Sequence, residues 1–365
     1  MTDWQPGISL DRLRQRSRVL AELRGFFQQR NILEVDVPVL ATTSVTDRNI
    51  ESIATLPGAS SGLEASSGLG ASGGLEASSG LGAFSGLGAF SELEAFSESE
   101  ALSESEASAI KSYLQTSPEY FMKRLLAAGS GDIFCLGKAF RSGEAGVRHN
   151  PEFTLLEWYR CGWDEHQLMA ELGELIETLL PAVAINKYSY AELFAKYFNI
   201  DPHQAELSSL QKLAVEAGSS AWSDDSRGNC LDLLFSVVIE PQLSDGLVLV
   251  YDYPACQAAL AKCYKDAQGR RVSRRFEAFL NRVELANGYF ELTDGQEQAS
   301  RFAEDQQARK IAGKPLMEID QNLLAALESG LPECSGVALG VDRLLMQIEG
   351  ATSLDQVMPF SWDRC

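Results

Sequence analysis

The chain has 365 residues, of which 45% are hydrophobic, and its 51 acidic and 31 basic side chains give a formal net charge of -20. This length and apolar content suffice for a sizeable core, and the negative charge argues against broad electrostatic binding to nucleic acid. Seven scattered cysteines without a C-x-x-C pair, and only three histidines, indicate neither a zinc site nor a disulfide framework. The N-terminus lacks a signal-peptide core and no run is apolar enough to cross a bilayer, so we expect a soluble cytoplasmic protein.

The first predicted element is an amphipathic helix near 9–29. Its apolar face carries Leu10, Leu13, Leu20, Leu23 and Phe27. Its polar face holds the one dense basic cluster of the chain, made of Arg12, Arg14, Arg16, Arg18 and Arg24. Two interpretations of the cluster remain open at this stage, a solvated helix face or a contact with an acidic partner.

A repetitive segment follows. Residues 61–108 divide into eight hexads of the type SGLEAS, without lysine, arginine or proline. A left-handed β-helix would need more turns than eight hexads make and more apolar area than Gly, Ser and Ala supply. We therefore predict a flexible low-complexity insertion over 57–109.

A short helix is predicted after Thr116, with Ser117 as N-cap, Pro118 at the first helical position and Gly129 as the stop. Glu119 then lies in the first turn. It either complements the helix dipole or contacts a ligand.

Two strands near 132–141 and 152–160 enclose a polar loop that begins at Arg141. Alternation along the second strand places Phe153, Glu157 and Tyr159 on one face, together with Leu155. A carboxylate on an otherwise apolar strand face is costly unless it binds something, so this region indicates a nucleotide-activating site.

Further along, helices are predicted near 164–180, capped by Asp164, and near 296–311, followed by a final strand and helix. Between them, a two-residue turn at Asn281-Arg282 would pair Phe279 with Glu284 and leave Glu277 diagonally beside it. Two carboxylates so placed favour a Mg²⁺ ion between them. The alternative is a pair of solvent-exposed glutamates.

Three segments together resemble the class II aminoacyl-tRNA synthetases: Leu33–Pro38 (motif 1), Phe140–Tyr159 (motif 2) and Gly336–Leu345 (motif 3). The sequence HNPEF at 149–153 is most similar to that of the lysine enzymes. The resemblance implies a single α/β catalytic domain over 1–365, of the α+β type, with an antiparallel sheet flanked by helices. It also implies a homodimer formed through the motif 1 region.

By resemblance, ATP and Mg²⁺ are the cofactors, Arg141 contacts the α-phosphate, Arg343 faces the γ-phosphate, and both are catalytic. Glu277 and Glu284 are the implied Mg²⁺ ligands. The other implied ATP contacts are Ser142, Gly143, Glu144, His149, Asn150, Phe153, Leu285 and Gly340, besides Glu284. The implied amino-acid contacts are Ser117, Pro118, Glu119, Glu157, Tyr159, Asn287, Glu291 and Ala338.

Barely thirty residues precede motif 1, which is too few for the anticodon-binding domain of bacterial lysyl-tRNA synthetases. The chain therefore resembles their free-standing paralogues, which use ATP to activate (R)-β-lysine as an aminoacyl-adenylate and transfer it to a lysine ε-amine of translation elongation factor P. Stable tRNA binding is not expected. Ala338 occupies a position where the lysine enzymes usually have glycine. Its methyl group would reshape the pocket for the displaced amine of a β-amino acid.

The motif 2 loop departs from the usual Arg-Asn-Glu and reads Arg141-Ser142-Gly143-Glu144, so Glu144 is expected to take over the nucleotide contact. Three alternative functions remain open. They are a minimal lysine-activating synthetase acting on tRNA, a different small-molecule ligase such as an asparagine synthetase, and a non-catalytic binding subunit. The retained Arg141, Arg343, Glu277 and Glu284 argue against the last.

Overall fold

The fold was analysed in a computed structural model that describes residues 4–55 and 112–365. The hexad insertion predicted over 57–109 lies outside these residues. Within the described ranges the helices are α1 (Leu10–Gln28), α2 (Glu119–Ala127), α3 (Glu165–Leu179), α4 (Tyr190–Phe198), α5 (Leu207–Ala217), α6 (Arg227–Leu234), α7 (Gly295–Ile311), α8 (Gln321–Gly330) and α9 (Val341–Glu349). No helix of this part of the chain is long and apolar enough to pass through a bilayer.

The strands form a large sheet and a small one. They are β1 (Leu33–Glu34), β2 (Leu40–Ala41), β3 (Ala54–Thr55), β4 (Ser112–Leu114), β5 (Ile133–Phe140), β6 (Glu152–Cys161), β7 (Ile185–Ser189), β8 (Leu247–Pro254), β9 (Cys263–Lys265), β10 (Arg271–Leu280), β11 (Val283–Phe290) and β12 (Cys334–Gly340). The large sheet runs β1-β5-β6-β12-β11-β10-β8-β7, with β9 on β10, and β2-β4-β3 form the small one. The centre of the large sheet is antiparallel, and β1 and β7 add parallel pairs at its two ends.

Strand alternation sends apolar side chains to both faces of this sheet. One face packs against α1, α3 and α9, where Leu23, Trp158 and Leu344 are buried. The other face has two separate clusters, one under α2 and α8 and one under α4 and α6. Polar side chains of the central strands face the gap between these two clusters, and the candidate site is built there.

Helix α1 has only part of the predicted apolar and basic faces. Leu23 is buried as expected, but Leu10 and Leu13 are 63% and 40% exposed. Arg16 is not solvated, because it pairs with buried Asp342 at 2.6 Å and donates to Thr154 Oγ1 at 2.8 Å. The helix turns one arginine inward to the sheet, so the basic cluster is not one continuous surface.

Candidate active site

The acidic end of the site is built on β6. Alternation buries Trp158 in the core on one side and turns Glu157 and Tyr159, each 2% exposed, to the other side. Glu157 accepts hydrogen bonds from the Tyr159 hydroxyl and from Ser117 Oγ, both at 2.7 Å. Burial, together with the nearby charge of Glu119, raises the pKa of Glu157 to about 7.

Helix α2 brings the next carboxylate into the site. It begins at Glu119, and Pro118 already has helical dihedral angles (φ -74°, ψ -3°) but takes the N-cap position that was predicted for Ser117. Ser117 still caps the backbone, because its Oγ accepts from Glu119 N at 3.0 Å. Gly129 has φ +88° and lies just past the helix end, as expected of a stop residue.

Buried Lys123 links α2 to the end of β11. Its Nζ lies 2.7 Å from Glu119 Oε1 and 2.7 Å from Glu291 Oε2. Glu291 Oε2 is held by this charge-assisted contact, whereas no hydrogen-bond donor reaches Glu291 Oε1. Burial raises the pKa of Glu291 to about 8 although Lys123 opposes the shift.

Gly336 on β12 makes room for this arrangement. A Cβ at this position would lie 2.2 Å from Tyr159 Cε1 and 2.8 Å from Glu291 Oε1. Only glycine lets the tyrosine ring and the carboxylate approach the strand so closely.

The β10–β11 hairpin confirms the predicted turn. Phe279 pairs with Glu284, and Asn281 and Arg282 both have positive φ, at 50° and 67°. One extra residue, Leu285, shifts the register beyond the turn, so Glu277 lies opposite Asn287. The diagonal placement of Glu277 beside Glu284 was therefore wrong by one position.

Both predicted metal carboxylates are held by arginines. Glu277 is paired closely with Arg275 and accepts from the Tyr253 hydroxyl at 2.7 Å. Glu284 Oε2 lies 3.3 Å from Arg343 Nη1. Burial raises the pKa of Glu277, and the charge of Glu284 contributes to that rise.

The donor set at this end suits a magnesium nucleotide. Glu277 and Glu284 line one cavity of about 380 Å³, and carboxylates plus phosphate oxygens are the ligands that Mg²⁺ prefers. Among the residues that the structure describes, no third His, Cys, Asp or Glu joins them in a metal-ligand group. A metal here would have to complete its shell with water and phosphate oxygens.

Two arginines border the same end. Arg141 Cζ lies 5.2 Å from the centroid of the Phe153 ring, and its buried Nε has no hydrogen-bond partner. Arg343 donates to the Glu284 carbonyl at 2.9 Å and lies 2.8 Å from His149 Nε2. Burial first, and the charge of Arg343 second, lower the pKa of His149.

Asn150 and Ser142 are engaged elsewhere. Asn150 donates to the Glu152 carbonyl at 2.7 Å and accepts from Trp362 N at 2.9 Å. Ser142 N donates to the Glu51 carbonyl at 2.7 Å. These contacts hold the motif 2 loop against the fold.

A cavity of about 910 Å³ brings most of the predicted contacts together. Four predicted site residues do not line it: Pro118, Ser142, Gly143 and Glu277.

Sequence reasoning missed Lys123, Arg275 and Gly336 as site residues. Lys123 had a signal, because it lies four residues after Glu119 on the same helix face. Arg275 had one as well, because it lies two residues before Glu277 on the same face of one strand. Gly336 gave none, because its importance comes from neighbours on other strands.

Comparison with known proteins agrees with this geometry. The family model described as tRNA synthetases class II (D, K and N) matches residues 97–364. This chain belongs to that class II synthetase family. A class II synthetase fold accounts for the antiparallel sheet and its flanking helices, and the fold prediction is confirmed.

Three curated relatives of this class II synthetase carry the same name, elongation factor P–(R)-β-lysine ligase. They come from Photorhabdus laumondii (41% identical), Yersinia enterocolitica (39%) and Yersinia pestis (40%). Each alignment covers 98% of this chain and 97% of the relative. The predicted enzyme class, an ATP-dependent amino-acid ligase, is confirmed.

Proposed function

We propose that this ligase activates (R)-β-lysine with ATP and transfers it to a lysine ε-amine of elongation factor P. The relatives' names support this function over the tRNA-charging and non-catalytic alternatives. The observation that carries it is the group of three carboxylates, Glu119, Glu157 and Glu291, at the buried end of one cavity. Such a group suits a substrate with two separated ammonium groups, and suits aspartate poorly.

The ATP end supports the first step. The substrate carboxylate attacks the α-phosphorus, a bond to pyrophosphate breaks, and an aminoacyl-adenylate forms. Arg141, whose buried Nε is free to donate, would neutralise charge on the α-phosphate, and Arg343 would neutralise charge on the leaving group. Glu277 and Glu284 would hold Mg²⁺, whose charge stabilises pyrophosphate as it leaves.

The second step is aminolysis. The acceptor ε-amine in its neutral form attacks the adenylate carbonyl, the carbon–oxygen bond to AMP breaks, an amide forms, and the amine loses a proton. The protein's part is to hold the adenylate between the arginine end and the carboxylate end of the cavity.

The further expectations belong to the same proposal. We propose a homodimer formed through the motif 1 region, in the cytoplasm, built from one catalytic domain with an insertion over 57–109. The exposed apolar side chains of Leu33, Val39 and Leu40 support the homodimer, because a contact there would cover them. Light scattering on purified protein would test it.

ATP–pyrophosphate exchange with (R)-β-lysine, α-lysine and aspartate tests the main proposal, followed by transfer of labelled amino acid to elongation factor P or to tRNA-Lys. Preference for β-lysine with label on the protein is the expected result. Label on tRNA would indicate a minimal synthetase instead. Absence of exchange with every substrate would support a binding subunit.

A further inference from the structure

Lys123 is a charged side chain buried inside the substrate cavity wall. Its side chain is only 2% exposed, and its Nζ lies 2.7 Å from both Glu119 and Glu291. An ammonium in such a position is strongly unfavourable without compensation, and the two carboxylates supply that compensation. Lys123 thus connects the start of α2 to the end of β11, where two of the three proposed substrate carboxylates lie.

The charges at this end of the cavity do not balance. Three carboxylates, Glu119, Glu157 and Glu291, face one ammonium, which leaves an excess of two negative charges when all three carboxylates are ionised. Glu291 is fully buried, and Lys123 contacts its Oε2, yet its Oε1 receives no hydrogen bond. A buried carboxylate with empty acceptor positions is the expected partner of a cation that arrives from outside.

We propose that Lys123 is a positioning and specificity-determining residue, a built-in ammonium that occupies one of three cation positions and leaves two for the substrate. It orients Glu119 and Glu291 and neutralises one of the three carboxylates, so that a ligand with two ammonium groups completes the charge balance. The identity of that ligand as β-lysine rests on the proposed function. The charge count itself does not.

The pH dependence that follows involves every group facing this cluster. These are Glu119, Tyr120 and Lys123 from α2, Cys135 from β5, Glu157 and Tyr159 from β6, Tyr289 and Glu291 from β11 and its end, and Cys334 from β12. Without Lys123, Glu291 loses the cation that most favours its charged form. Glu291 would then bind a proton at higher pH, and that proton would compete with a cationic ligand.

The test uses butane-1,4-diamine, which has the amine spacing of β-lysine but no carboxylate, and butylamine as its one-ammonium counterpart. Calorimetry on the wild type should show about 10- to 100-fold tighter binding of the diamine. Lys123→Met should lose most of this preference, raise the KM for β-lysine at least about tenfold, and leave the KM for ATP unchanged. The pH above which the diamine binds well should rise.

Lys138→Met is the matched control, because Lys138 forms an exposed ion pair with Glu152 at 3.0 Å. The two side chains are 43% and 50% exposed, respectively. It should retain the preference for the diamine. Lys123→Ala adds a sharper test: propylammonium should restore diamine binding, and propan-1-ol should not. Equal rescue by the alcohol would mean that Lys123 only fills space, and an unchanged Lys123→Met would overturn the proposal.

A compensated variant guards against misfolding. Lys123→Met with Glu119→Gln removes one charge of each sign, and replacing a buried ion pair by neutral groups is often tolerated. Because Glu119 is itself a proposed substrate contact, the folded double variant should bind the diamine more weakly than the wild type but more tightly than Lys123→Met. A double variant no better than Lys123→Met would refute the charge count. If wild-type protein binds the diamine but shows no β-lysine-dependent exchange, the proposed function fails and the role of Lys123 can still be tested.

Discussion

The two ends of the cavity differ in how their charges are compensated. At the ATP end, Glu284 contacts Arg343 and Glu277 contacts Arg275, so each carboxylate has a cationic partner within the protein. At the amino-acid end, Glu119 and Glu291 share Lys123, Glu157 has only hydroxyl donors, and no donor reaches Glu291 Oε1.

This difference indicates two ways of preparing a site. The ATP end is ready to exchange partners, because a phosphate can replace a carboxylate on an arginine while Mg²⁺ replaces the arginine on the carboxylate. The amino-acid end has more carboxylates than cations in a buried place, and either a cationic ligand or protons can neutralise the excess charge. The two ends should therefore respond differently to substitution and to pH.

The largest effect is expected at the ATP end. Arg343→Ala should lower ATP–pyrophosphate exchange about 100- to 1000-fold, because a cation that neutralises developing phosphate charge is lost. Exchange kinetics with saturating β-lysine would measure it. Arg14→Ala, which removes an arginine 69% exposed on α1, should leave the rate unchanged. An unimpaired Arg343→Ala enzyme would remove Arg343 from the mechanism.

A somewhat smaller and more selective effect is expected from Glu291→Gln. It should lower kcat/KM for the diamino acid about 10- to 150-fold, since a charged contact is lost, and leave the KM for ATP as it is. Steady-state exchange kinetics with each substrate varied in turn would separate the two. Glu333→Gln, on an exposed glutamate paired with Lys262, is the control. Equal losses for both substrates would refute the contact.

The pH profile should also separate the two ends. Glu157 and Glu291 have pKa values raised to about 7 and about 8, so protons compete with the ligand's ammonium groups below these values. The KM for the diamino acid should fall as pH rises from 6.5 to 8.5, by up to about tenfold per pH unit for each proton displaced. Exchange assays across this range would record it, and a flat profile would contradict the raised values.

Stability should change in the opposite direction. Between about pH 4.5 and pH 8 the native state retains protons on these two glutamates that the unfolded chain has released. Their contribution to the free energy of unfolding therefore decreases as pH rises through this window. Urea titrations at several pH values, with Glu291→Gln for comparison, would isolate it.

The smallest effect is expected from Ala338→Gly. Ala338 lies on β12 opposite Glu157 and Asn287, and its methyl group borders the amino-acid end of the cavity. Its removal should shift the preference for β-lysine over α-lysine by about tenfold, the low end of the effect of one methyl group. Competition between the two isomers in the exchange assay would show it, and an unchanged ratio would remove Ala338 from specificity.

Much of the framework was predictable from local rules. Asp164 caps α3 through a hydrogen bond from Gln167 N at 2.8 Å, Asn281-Arg282 forms the two-residue turn, and alternation along β6 brings Phe153, Glu157 and Tyr159 to one face. These features depend on residues within a few positions of each other. Sequence patterns report such short-range preferences well.

The errors arose where a distant element decided the outcome. The bulge at Leu285 changed the cross-strand partner of Glu277. The ion pair with Asp342 buries Arg16. No neighbouring element of the described chain covers Leu10 and Leu13 at the start of α1. None of these could be inferred from spacing alone. Each depends on which strand or helix packs alongside.

The sequence by itself determined several of the helices and strands, the motif residues and the acidic character of the substrate site, because these follow from local periodicity, capping and residue chemistry. The tertiary structure decided how those charges are paired. It placed Lys123 between carboxylates from two elements and Gly336 beneath Tyr159, since burial and approach distances exist only once separate strands and helices have packed together.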